Sequence, residues 1–104
     1  MEEKALQFVT YYEKQLEIAK RLVLIRKVRK ISQQKLSILS RVPYASIRRF
    51  EKTGDISLAS LVKIALALQL YDDLDNLFKR HENYYSSIDE IIREREIWEK
   101  MNKK

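Results

Sequence analysis

Five side chains within six positions, Tyr44, Ala45, Ser46, Arg48 and Arg49, hold the clearest chemistry in this chain. Two cations beside small and aromatic residues suit recognition of a polyanion, provided that a rigid element presents them together. The flanking residues, ISQQKLSILSRVPYASIRRFEKTGDISLASLVKIALAL from Ile31 to Leu68, specify such an element. They lay down two short helices joined by a tight turn, and the second is a rod of the size that enters a DNA major groove.

Other reactive groups offer less. His81 has no cysteine or second histidine near it and is expected to be solvated, so no metal site follows. Asp72, Asp73 and Asp75 resemble a carboxylate cluster, but at a helix start they are better explained as caps and dipole partners. Tyr11, Tyr12, Tyr84 and Tyr85 are expected to be packing or interfacial aromatics. No catalytic residue, metal or cofactor is expected, and the chain reads as a non-enzyme.

At 104 residues the chain can build one small core. One Gly, one Pro and abundant Leu, Ile, Lys, Glu and Arg favour helix almost throughout. The absence of cysteine excludes disulfides and fits a reducing cytoplasm. No basic leader or apolar run of roughly 18 residues is present, so a soluble, cytoplasmic protein is expected. Net charge is +6, distributed unevenly: residues 1–31 and 32–54 are each +4, 55–78 are −3 and 79–104 are +1. The positive field therefore centres on the proposed helix pair, as in a polyanion binder.

Glu2 to Lys30 contains no breaker and repeats apolar residues every three or four positions from Leu6 to Ile25, which predicts an amphipathic helix in one or two pieces. Ser32 is placed to cap a helix over about 33–40, with Leu36 and Leu39 as its buried stripe. Pro43 fits the first position of a third helix, over about 43–52, whose Ile47 and Phe50 point inward. Gly54 ends it, and Ser57 caps a fourth helix over about 58–69. Asp72 or Asp73 is expected to cap a fifth helix carrying Leu74, Leu77 and Phe78. Residues 81–86 read as a linker, and Ser87 with Glu90 forms a capping box for a charged helix through Asn102. Ile88, Ile91, Ile92, Trp98 and Met101 give that helix an apolar side.

From Leu16 to Phe78, about three-fifths of the chain, these segments resemble the Cro/cI-type helix-turn-helix domain of the XRE family. ISQQKLS at 31–37 matches the family's L-S-Q-x-E-L-A. Ile47, Phe50 and Glu51 match I-S-R-x-E, and SLASLVKIALAL at 57–68 matches the fourth helix. The resemblance implies an all-α, five-helix lambda repressor-like domain over 15–80, with a helical extension at 1–14 and a linker and tail helix at 81–104. It implies that Tyr44, Ala45, Ser46, Arg48 and Arg49 face the bases. There an Arg can grip guanine O6 and N7 as a fork, and Ala or Ser can meet a thymine methyl. Ser32 and Gln33 become phosphate contacts, with Gln33 also bracing the recognition helix, and Lys52 and Thr53 become further backbone contacts. Arg26 and Glu51 become a structural pair that positions that helix.

Two residues depart from the pattern. Arg41 stands where the family usually has Gly, and a left-handed site there would cost a non-glycine residue on the order of 1–2 kcal/mol. Either the turn is altered or Arg41 is tolerated for its charge. Lys35 replaces the Glu that would complete a capping box with Ser32, and adds positive charge near the phosphate path. Both Lys35 and Arg41 are counted as phosphate candidates.

The resulting expectation is a sequence-specific DNA-binding transcriptional regulator, a homodimeric repressor on a palindromic operator. The apolar sides of the N-terminal extension and of the tail helix, the latter with Ile88, Ile91, Ile92 and Trp98, are surplus to a five-helix core, and one or both are expected to build the dimer or dock a partner. ALALQLYDDLDNLF at 65–78 with SIDEIIRE at 87–94 further resembles HipB-like antitoxins, which implies a HipA-like toxin kinase as a partner. A protein-interaction adaptor on the same fold, with a basic face that is merely solvated, is the alternative.

Overall fold

Residues that lose little side-chain entropy in helix, with few breakers between them, settle the class of this chain. The computed structural model describes residues 2–80 and 87–103, with side-chain surroundings from Thr10 onward. Among them are six helices and no strand: α1 (Glu2–Val28), α2 (Gln33–Ser40), α3 (Tyr44–Thr53), α4 (Leu58–Ala67), α5 (Tyr71–Asn76) and α6 (Ile88–Met101). The chain is all-α. The expected linker at 81–86, with His81, Tyr84 and Tyr85, lies outside the described residues.

α1 is one continuous rod of 27 residues. It ends where Lys30 turns left-handed (φ 59°), its N–H donating to Lys27 O and that of Ile31 to Arg26 O. These paired bonds satisfy carbonyls that the helix end leaves open. Serine starts each of three later helices. Ser32 Oγ accepts from Lys35 N–H at 3.0 Å, Ser57 Oγ from Ser60 N–H at 3.1 Å, and Ser87 Oγ from Glu90 N–H at 3.2 Å.

α3 starts one residue later than expected. Pro43 is extended (ψ 140°) and flanks the helix rather than opening it, while its carbonyl accepts from Ser46 and Ile47. α4 stops at Ala67, two residues early, because Gln69 turns left-handed (φ 59°). α5 departs most. Leu70 precedes it without a side-chain cap, so Asp72 and Asp73 lie inside the first turn, where they face the helix dipole and cap nothing. Leu77 and Phe78 fall beyond its end, and Phe78 is left-handed (φ 61°) and 90% exposed.

The core gathers Ala19 of α1, Leu36 of α2, Val42 of the turn, Ile47 and Phe50 of α3, and Ile64 and Leu68 at α4. Leu22, Ile25, Ile31, Ile56, Leu61 and Leu70 pack around it. Leu39 was expected in this stripe but is exposed, since a helix of eight residues turns only Leu36 and Ser40 fully inward. α6 contributes no buried residue. No helix among the described residues is long and apolar enough to cross a membrane.

Candidate nucleic-acid interface

Burying Ile47 and Phe50 fixes which side of α3 faces water. Tyr44, Ala45, Arg48 and Arg49 are exposed and Ser46 is half-buried, so the five residues share the outer face and edge of one short helix. Arg48 sits over the Tyr44 ring, one turn earlier, with its guanidinium carbon 5.6 Å from the ring centroid. This is a cation–π arrangement that restrains both side chains.

A polar clamp at the edge of the buried side, one turn after Arg48, holds α3 in place. Arg26 of α1 grips Glu51 with two bonds, Nε to Oε2 and Nη2 to Oε1, each 2.8 Å. Its remaining Nη1 donates to Ile31 O at 2.8 Å, and Gln33 of α2 donates Nε2–H to Glu51 Oε1 at 2.8 Å. Both charged side chains are nearly buried, 8% and 12% exposed. One carboxylate thus joins α1, α2 and α3, with every charge met by a partner. Among the described residues no buried side-chain polar atom lacks a hydrogen bond.

The turn before α3 holds Arg41 left-handed (φ 62°), with its N–H on Ser37 O at 2.9 Å. The geometry that favours glycine is retained with arginine in it, and the side chain stays exposed. Ser37 Oγ donates to Val42 O at 2.6 Å and Ser40 Oγ accepts from Val42 N–H at 3.2 Å, which ties the turn to α2.

The remaining phosphate candidates differ in what they have free. Lys35 and Lys52 are exposed. Ser32 is exposed as well, with its oxygen engaged on the Lys35 amide. The amides of Gln33 and Gln34 open α2 and have no carbonyl of their own helix to meet. Gln33 is half-buried on Glu51, which makes it first a brace of α3. Thr53 uses its hydroxyl locally, donating to Arg49 O at 2.7 Å and accepting from Asp55 N–H at 3.1 Å.

Three features escaped the sequence reading. Arg49 Nη2 donates to Asp55 Oδ2 at 2.6 Å, a contact that depends on the left-handed turn at Gly54 (φ 81°). Gln15 of α1 donates Nε2–H to Gly54 O at 3.3 Å and brings Tyr11 and Tyr12 to the hollow beside Arg49 and Thr53. Arg29 donates to Leu68 O and so closes the end of α4. The only sequence signal for any of these was the glycine.

At α6, Ile88, Ile92 and Trp98 are exposed and Ile91 is half-buried. Phe78 and Arg80 line a groove with Ile97, Trp98 and Met101. No group of three or more His, Cys, Asp or Glu among the described residues is disposed to hold a metal. No protein-family model, curated protein or solved structure matches this chain.

Proposed function

We propose that the chain is a sequence-specific DNA-binding transcriptional regulator of the Cro/cI helix-turn-helix type, with α3 as the recognition helix. The observation that carries this reading is the braced α3. Its inner side is fixed by Ile47, Phe50 and the Arg26–Glu51–Gln33 clamp, while its outer side offers two arginines, a tyrosine and small residues. Such rigidity serves base readout, where a fork of donors must arrive in register with guanine O6 and N7. A merely solvated basic helix has no need of it.

Lys35, Arg41 and Lys52 give the same region exposed positive charge for phosphates, with Ser32 and the start of α2 beside them. One α3 makes too few base contacts for tight specific binding, so the active species is a homodimer on a palindrome with half-sites about one helical turn apart. The exposed apolar residues of α6 supply surface for that contact or for a toxin-kinase partner of HipA type.

Binding to the chain's own upstream DNA and to a shuffled duplex, across a salt series, tests the reading. Wild type should discriminate between them. Arg48→Ala/Arg49→Ala should lose discrimination while retaining salt-dependent non-specific binding. Absence of salt-sensitive binding to either duplex would sink the DNA reading in favour of a protein-interaction adaptor.

A further inference from the structure

The two arginines on α3 are held in different ways. Arg48 stacks on Tyr44 within the helix, whereas Arg49 leans toward the helix end and meets the carboxylate of Asp55. A closed set of bonds puts Asp55 there. Its N–H donates to Thr53 Oγ1, the Thr53 hydroxyl donates to the carbonyl of Arg49 itself, and Gly54 makes the left-handed turn between them. Ser46, Arg49, Asp55, Ser57 and Ser60 line one hollow, so the pair stands at the rim of the same face that bears Ser46.

Resting on the DNA-binding reading, we propose that Asp55 determines specificity by holding Arg49 as a preformed guanine reader, with the Arg49–Asp55 pair intact on the cognate duplex. A guanidinium has five N–H donors, and the Asp55 bond uses one of them, leaving a fork for O6 and N7. Restraining the side chain beforehand removes rotamer freedom that binding would otherwise have to remove. On a non-cognate duplex the carboxylate acts in the opposite sense. It neutralises Arg49 and repels any phosphate that approaches, so Arg49 adds little to sequence-independent attraction.

Two other roles for Asp55 make different predictions. If it is only a negative charge near DNA, removing it strengthens cognate and non-cognate binding by the same factor. If it is a latch that the operator must break, removing it strengthens cognate binding more. If the pair reads as a unit, removal strengthens non-cognate binding alone. Both side chains are well exposed, 70% and 57%, so the effect is modest, about two- to fivefold.

The experiment selects duplexes from a random library with the wild-type protein, then measures Kd for the selected and a scrambled duplex across a salt series. Asp55→Asn and Asp55→Ala are compared with wild type. Non-cognate affinity should rise about two- to fivefold, its salt slope should steepen by about 0.9, and cognate affinity should stay level or fall. In an Arg49→Ala background, Asp55→Asn should leave discrimination unchanged. An equal gain on both duplexes, a larger gain on the cognate one, or an undiminished Asp55→Asn effect without Arg49 each overturns the proposal. Failure of the wild type to enrich any sequence is a separate outcome, which removes the DNA reading and this inference with it.

Discussion

Gln15 and Gly54 are packed so closely that a Cβ on the glycine would lie 2.9 Å from the Gln15 carbonyl carbon, and the glycine itself is left-handed (φ 81°). Steric and conformational demands therefore coincide at the point where α1 crosses the end of α3. Gly54→Ala should destabilise the protein by about 2–3 kcal/mol, combining the left-handed penalty with displacement of helix backbone. Urea unfolding followed by circular dichroism measures it. A loss below about 0.5 kcal/mol, the range of neutral surface changes, would mean that α1 is not seated there.

Arg41 presents the reverse case, a left-handed position without a glycine. Arg41→Gly relieves about 1–2 kcal/mol of native-state strain while giving back about 0.5–1 in chain entropy, so a net gain of about 0.5–1 kcal/mol is expected. On DNA the same variant should bind more weakly and lose about 0.9 from its salt slope if Arg41 meets a phosphate. A more stable protein with unchanged DNA binding would show that the charge of Arg41 has no role in recognition.

What the sequence revealed and what it hid follow from the range of the forces involved. Ser32, Ser57 and Ser87 each accept an amide three residues on, so these starts were legible locally. Ile47 and Phe50 were legible because helical spacing identifies an inward side. Asp72 and Asp73 misled because the chain enters α5 through a left-handed Gln69 and an uncapped Leu70, and no residue type announces that geometry. Leu39 misled because two turns of helix have room for only one strongly buried row. Gln15 on Gly54 and Arg29 on Leu68 each span 39 residues, beyond the reach of local pattern. The placement of Asp55 against Arg49 depends on the dihedral angles of one turn at Gly54, and no residue type announces that pairing.

Glu51 is the shared acceptor of Arg26 and Gln33, and both charged partners are nearly buried. Glu51→Ala leaves the Arg26 charge without its carboxylate and should cost about 3–5 kcal/mol. Arg26→Met/Glu51→Leu removes both charges together and should recover much of that loss, since apolar replacement of a whole buried pair is often neutral. The two variants differ in a useful way. The double variant should remain folded yet discriminate DNA less well, because α3 has lost its brace. Full discrimination in that variant would assign the clamp to stability alone.

α6 has no buried residue and supplies none of the core, while Ile88, Ile92, Ile97, Trp98 and Met101 are all largely exposed. A stop codon after Arg80 should therefore leave the unfolding free energy of α1–α5 within about 0.5 kcal/mol of the full chain at concentrations where both are monomeric. Association should respond differently. Exposed isoleucines and a tryptophan on one helix form the kind of apolar surface that marks an interaction site, so sedimentation equilibrium should find a dimer for the full chain and a monomer for the truncated one. Trp98→Ala should shift the dimerisation Kd in the same direction by at least tenfold, the effect of an anchor worth more than about 1.4 kcal/mol. An unchanged dimer in both variants would move the interface onto α1–α5 and leave α6 as the surface for a different partner.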